Sequence, residues 1–346
     1  MGTADEKDAI LAIDVKTGKK AWETTIGRKF ENRWGGGPRS TPTVDGKHLY
    51  ALAGGGELVC LNVKDGSKVW NVNLRSRLGG SMMSGWGYSE SVLVDGDHVI
   101  CTPGGNQGAL AALNKKTGEV VWRGGGTDRA AYSSIVVANI GGVKQYVQQT
   151  GSAVIGAQAK DGKLLWRHSK RAYRTAVIPT PIVKDNSIYL TVGYRVGCFL
   201  LTVKPNDRGG FQVKEEYANN VLESKHGGAI LHEGHIYGHH DQNRWVCQDF
   251  ATGKEIWGER SKLSRRNRSG SLTFAEGHLY LYSDNGVVAM IEASAKGWNE
   301  KGRFSIPQQS KIRSNRGGVW SHPVVANGRL YVRDQELIFC YDISAK

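Results

Sequence analysis

The 346-residue chain is predicted to be all-β: an eight-bladed β-propeller of four-stranded antiparallel blades, with the first and last blades incomplete. Three observations predict it. First, one sequence pattern recurs: LAIDVKTGKKAW (Leu11 to Trp22), LVCLNVKDGSKVW (Leu58 to Trp70), LAALNKKTGEVVW (Leu110 to Trp122), VIGAQAKDGKLLW (Val154 to Trp166) and WVCQDFATGKEIW (Trp245 to Trp257). Second, the polar anchors of these copies and of three degenerate ones fall at Asp14, Asn62, Asn114, Gln158, Thr202, Asp249, Glu292 and Asp342, in steps of 43 to 52 residues. Self-similarity at such a period marks solenoids, propellers and arrays. Third, the later copies are each preceded by alternating β-formers around a two-residue glycine turn, as in STPTVDGKHLYALA and HPVVANGRLYVRD, which is a hairpin signal. No stretch has sustained helical periodicity. One unit is therefore hairpin, loop, hairpin, with strands A, B, C and D, and four-stranded units of this size build propellers.

Each element of the pattern has a physical reason. A single blade cannot bury both faces, so blades must stack. The Thr-Gly or Asp-Gly pair supplies the positive φ of a tight C–D turn. The tryptophan, eight residues after its anchor in all five clear copies, is large enough to fill the wedge between neighbouring blades, and its N–H needs an acceptor. Trp22, Trp70, Trp122, Trp166 and Trp257 are accordingly structural docking residues. FLLTVKPNDRGGFQVKEEY (Phe199 to Tyr217) replaces the tryptophan with tyrosine, and MIEASAKGWNEKGRF (Met290 to Phe304) with phenylalanine. LIFCYDISAK (Leu337 to Lys346) starts an eighth copy. The first blade is expected to hold only strands C and D, the last A, B and C. The pattern thus reads as a single domain over residues 1–346, truncated at its N-terminus.

Bulk properties exclude several classes. The composition is globular, 39% hydrophobic and 23% charged, with 46 glycines used largely in turns. No run approaches the ~18 apolar residues of a membrane helix. MGTADEKDAI lacks the basic and apolar regions of a signal peptide. The five cysteines include no CxxC and no adjacent pair, and Cys60, Cys247 and Cys340 recur at one strand position, which argues against a disulfide framework or zinc knuckle. The net charge of +14 favours anionic partners or surfaces and says nothing about fold.

With these repeats in view, the chain resembles a known family. The A-x-D/N-x-x-T-G-x-x-x-W pattern, with GPRSTPTVDG, GWGYSES, CTPGGNQG, YSSIVVANIGGVKQYV, WVCQDFATG and SHPVVANGRLYVRDQE, is similar to the bacterial PQQ-binding-like β-propeller repeat proteins. That superfamily includes quinoprotein alcohol dehydrogenases and the BamB-type lipoprotein of outer-membrane protein assembly. The resemblance covers essentially the whole chain. It implies a periplasmic or otherwise extracytoplasmic location. It also implies two alternative functions: a non-catalytic scaffold, or a dehydrogenase that stacks pyrroloquinoline quinone on a Trp beside Ca²⁺, with an Asp base and often a vicinal disulfide.

Antiparallel alternation puts the A–B and C–D turns on one face and the B–C and D–A loops on the other. The turn face carries short glycine hairpins and many lysines. The loop face carries long aromatic segments that differ between repeats, which stacking alone does not require. Loops on a rigid scaffold are where binding concentrates. The candidate ligand site is this loop-face funnel: Arg39, Trp86, Tyr88, Glu90, Tyr132, Arg174, His226, His239, Trp320 and His322. The competing reading is a hydrogen-bonded plug, since buried polar groups must pair.

The chemistries weigh unequally. Trp86 or Trp320 could floor a quinone and arginines could pair with its carboxylates. Yet the loop face offers only scattered oxygen ligands, and a hard cation needs several. His226, His239, His240, Asp241 and His322 share the loop face, but no zinc spacing appears. His48, His98, His235 and His278 occupy one repeated position and read as structural. RSKLSRRNR (Arg260 to Arg268) is basic, but no nucleic-acid module accompanies it. No GxSxG nucleophile motif is present. The expectation is a monomeric, non-catalytic binding protein without cofactor, catalytic residue or metal. Its partner would be a protein, a peptide, or an anionic or glycan ligand, and not nucleic acid. The alternative is a PQQ- and Ca²⁺-dependent oxidoreductase.

Overall fold

The computed structural model describes the whole chain except residues 170–174, 261–262, 264–268, 315 and 345–346. It is an all-β, eight-bladed propeller built from eight antiparallel sheets, each in consecutive strand order. Blades 2 to 7 have four strands; blades 1 and 8 have three. The chain divides into two compact units, Met1–Asn186 with Val203–Val213, and Ser187–Thr202 with Lys214–Lys346.

In the first unit, blade 2 shows how the sequence makes a blade. Its strands are Thr43–Asp45, His48–Leu52, Glu57–Asn62 and Lys68–Asn73. Side chains alternate across a strand, and both faces are covered. Tyr50, Leu52, Leu58 and Cys60 enter one apolar cluster with Trp70, Tyr88, Val99 and Cys101 of blades 2 and 3. Leu49, Ala51, Val59 and Leu61 enter another with Ile10 and Ile26 of blade 1. The middle strands therefore read as continuous apolar runs. In the second unit, Tyr237 and Cys247 of blade 6 pack with Leu279, Leu281 and Ile291 of blade 7, and Tyr282 and Val288 pack with Leu330 and Val332 of blade 8.

In several repeats the anchor caps its own C–D turn, as Asp14, Asn114 and Asp249 do. Asp14 Oδ1 accepts from Thr17 N at 2.7 Å and Thr17 Oγ1 at 2.8 Å, and Asp249 Oδ1 from Thr252 N at 2.7 Å and Thr252 Oγ1 at 2.6 Å. Each is an Asx-type turn. The repeated histidines pair in register with these anchors: His48 with Asn62, His98 with Asn114, His235 with Asp249 and His278 with Glu292.

The tryptophans lie against the next repeat. Trp22 Nε1 donates to Val63 O at 3.0 Å and Trp70 Nε1 to Lys115 O at 3.0 Å. Their rings cover Gly66 and Gly118, and Trp122 covers Gly162 in the same way. In the second unit Tyr217 covers Gly253, and Trp257 Nε1 donates to Ser294 O at 2.9 Å. Trp166 differs. Its Nε1 donates to Gln145 of its own blade at 2.7 Å.

Three local features depart from the sequence reading. Blade 1 has a third strand, Gly2–Ala4, paired with Lys7–Ile13. Three residues joined by a turn through Asp5 and Glu6, both at positive φ, are too short to show alternation. In blades 2 and 3 the two-residue A–B turn is Gly46-Lys47 and Gly96-Asp97 rather than Asp-Gly, because Asp45 pairs with His48 and Asp95 with His98. In blade 6 the turn is Glu233-Gly234, as the sequence reads, both at positive φ. Finally, Leu74–Leu78 forms one helical turn, capped by Asn73 at its start and by Gly79 at φ 65 after its end. Five residues are too few to show periodicity. Among the described residues no helix is long and apolar enough to cross a membrane. Cys60, Cys101, Cys198 and Cys247 are buried and free, and Cys340 is exposed and free.

Candidate functional site

Five of the candidate residues fall in the first unit. Glu90 enters strand A of blade 3 and is 3% exposed. Its Oε1 accepts from Thr102 N at 2.5 Å and its Oε2 from Gln148 Nε2 at 3.3 Å. Gln148 Nε2 also reaches Thr102 Oγ1 at 2.7 Å and Ser133 O at 2.9 Å. This network joins blades 3 and 4. Burial raises the Glu90 carboxyl to about 7, against the opposing pull of the Thr102 bonds. Tyr88 is buried, and its hydroxyl donates to Pro103 O at 2.9 Å. Tyr132 shares a short hydrogen bond with Ser84 Oγ, and its ring lies 5.9 Å from that of Trp86.

Arg39 donates to Gly37 O and Gly35 O, each at 2.8 Å, and lies 4.8 Å over the Phe30 ring. Burial lowers its pKa from the ordinary value. Asp8 is fully buried beside this loop. Its Oδ1 accepts from Phe30 N at 3.4 Å, and burial raises its pKa. Sequence reasoning missed Asp8, Thr102 and Gln148. Asp8 and Gln148 sit on C and B strands and Thr102 follows a B strand directly, where the pattern predicts only core.

Four candidates fall in the second unit. His226 stacks on Trp320 with centroids 4.6 Å apart and planes 9° from parallel, and its Nδ1 lies 3.2 Å from Ser269 Oγ. His239 is 1% exposed and meets Trp245 edge to face at 4.8 Å. His322 Nδ1 lies 3.3 Å from Leu272 O. Burial, then nearby Lys225, lowers His226 and His239 to about 3, so both rings are neutral at pH 7. Burial also lowers His322. Asp241, on the adjoining B–C loop, accepts from Lys225 N at 3.1 Å, and burial raises it to about 6. Arg174 lies outside the described residues, as does most of the Arg260 to Arg268 segment.

These groups are engaged with one another, which limits their chemistry. Both Glu90 oxygens are bonded. One face of Trp320 is covered by His226. Among the described residues no three His, Cys, Asp or Glu side chains converge to hold a metal ion. A stacked quinone with a Ca²⁺ beside it needs an open indole face and several free oxygen donors.

The comparisons with known proteins agree with this architecture. The chain is 23% identical to the outer membrane protein assembly factor BamB of Yersinia pestis, over 95% of this chain and 78% of that protein. The crystal structure of BamB from Moraxella catarrhalis superposes with a TM-score of 0.67 at 16% identity, covering 98% of this chain and 92% of that one. Quinohemoprotein alcohol dehydrogenase from Comamonas testosteroni superposes with a TM-score of 0.58 at 12% identity, covering 93% and 67%. Those two likenesses show the propeller fold. A family model described as outer membrane protein assembly factor BamB matches residues 6–259, and the chain belongs to that family.

Proposed function

We propose that this protein is a non-catalytic binding propeller of outer-membrane protein assembly, acting outside the cytoplasm and holding a protein or peptide partner on its loop edge. Family membership supports the assembly role. The observation that carries the non-catalytic reading is the internal engagement of the ionisable candidates. Glu90 holds Thr102 and Gln148, and His226 is stacked on Trp320, so these groups position loops instead of facing a substrate. Loops fixed in this way present a rigid surface, which lowers the ordering cost of association.

The test is genetic and biochemical. Deleting the gene should lower the amount of folded outer-membrane β-barrel protein, and the tagged chain should co-purify with the outer-membrane assembly machinery from envelopes. Normal barrel levels together with no co-purification would sink the reading.

A further inference from the structure

Among the described residues, the large apolar side chains that are exposed lie mostly on strands, save Val15 in the first C–D turn. Two lie on loops of the B–C and D–A edge, both in the second unit: Tyr194 at 43% exposure and Ile312 at 70%. Isolated exposed apolar residues on strands are ordinary. An apolar tip on a loop held from beneath is less so.

Both loops are built alike. Tyr194 and Arg195 adopt φ of 61° and 67°, a conformation that costs a non-glycine residue free energy. Two carboxylates hold them there. Tyr194 N donates to Asp241 Oδ2 at 3.4 Å, and Arg195 N donates to Glu223 Oε1. In the second loop, Ser310 N donates to Asp334 Oδ2 at 2.9 Å and Ser310 Oγ to Glu336 Oε2 at 2.6 Å. Arg313 forms an ion pair with Asp334, whose side chain is fully buried. Val319 N donates to Asp284 O at 3.1 Å at the far end. In each case donors of the loop engage the acidic groups beneath it, and Asp241 accepts from Lys225 N as well. An exposed apolar side chain and exposed cations remain outward: Tyr194 with Arg195, and Ile312 with Lys311 and Arg316.

We propose that these two tips form a contact surface for an anionic lipid bilayer. Tyr194 and Ile312 enter the headgroup boundary, and Arg195, Lys311 and Arg316 meet lipid phosphates. An amphipathic aromatic and an aliphatic side chain flanked by cations suit that boundary. A bilayer takes both tips without a matched cavity, and the chain's net charge of +14 acts in the same direction. A protein pocket would have to accept two separate tips in a fixed geometry.

The contact is independent of the assembly role. Vesicles test the former and barrel levels the latter. The full chain is sedimented with vesicles of phosphatidylethanolamine and phosphatidylglycerol, and with phosphatidylcholine vesicles, at about 0.05 M salt. Binding is expected to the anionic vesicles and to weaken steeply at about 0.5 M salt. Tyr194→Ser with Ile312→Ser should weaken it by roughly tenfold, while Tyr194→Phe with Ile312→Leu should retain it. A charge variant, Arg195→Gln with Lys311→Gln and Arg316→Gln, gives an independent loss. Thermal melting should match the parent chain for all three variants, because these side chains are exposed. The proposal is overturned if the parent chain ignores anionic vesicles. It is equally overturned if the serine and charge variants bind them unchanged, or if they lose a protein partner while keeping vesicle binding.

Discussion

Gly66 lies directly beneath the indole of Trp22: a Cβ placed on it would come within 2.4 Å of Trp22 Cε3. Gly118 and Gly162 stand in the same relation to Trp70 and Trp122. Gly18 has nearly the same backbone, φ +69 against +71, but nothing within 4 Å. Gly66→Ala should therefore destabilise by on the order of 3 kcal/mol, combining strain with displacement of the ring. Gly18→Ala should cost only about 1 kcal/mol for the backbone. Denaturant melts of the two variants isolate the docking contribution. Equal losses would show that the turn alone needs glycine.

Glu90 should make the fold less stable as pH rises. Its carboxyl is raised from 4.5 to about 7, so the folded state holds a proton that the unfolded state has released. The stabilisation is full below about 4.5 and is lost through about 7, amounting to about 3 kcal/mol at most. Glu90→Gln should flatten this slope in urea melts at pH 5 and pH 8, because the amide keeps an acceptor for Thr102 N. An unchanged slope would place the titration elsewhere.

The buried histidines act with the opposite sign. His226 and His239 fall from 6.5 to about 3. Their neutral forms stabilise the fold above about 6.5, and that stability is lost as pH drops toward 3. His239→Phe retains an aromatic ring beside Trp245 and should lower the midpoint of acid unfolding, read by circular dichroism. A midpoint that stays put would exclude His239 as a contributor.

Arg313 and Asp334 form a largely buried ion pair. Arg313→Ala leaves the carboxylate without its cation and should cost about 3 kcal/mol or more. Proteolysis should then cut near Lys311 sooner than in the parent chain. Unaltered cleavage would mean that the bonds of Ser310 and Val319 hold the loop without the ion pair.

Purified chain given pyrroloquinoline quinone and Ca²⁺ should acquire neither a quinone absorbance band nor dye-linked alcohol oxidation, since both Glu90 oxygens are bonded and no three His, Cys, Asp or Glu side chains converge among the described residues. A stable band or turnover would restore the dehydrogenase reading.

The repeat made much of the architecture legible. Asp14, Gly66 and Trp22 are local signals, and each reports a turn or a docking contact. The candidate site was less legible because its bonds run between repeats. Glu90 is recognisable as a polar residue entering a strand. Nothing near it names Gln148, 58 residues away, as its partner. Asp241 and Glu223 likewise look like ordinary loop acids until the positive φ of Tyr194 and Arg195 shows which backbone donors they satisfy. The A–B turn of blade 2 was misplaced by one residue because Asp-Gly and Gly-Lys both suit a hairpin, and only register separates them.

Because the ring of Trp22 rests on Gly66, that of Trp70 on Gly118 and that of Trp122 on Gly162, blades 2, 3 and 4 each carry the seat for the indole before them. The segment that can be duplicated or deleted without breaking that indole–glycine pairing is therefore not a blade, but the stretch from one docking glycine to the next. A gene that lengthens or shortens by that offset unit keeps these three indoles matched. One cut at the blade boundaries must find its partner again.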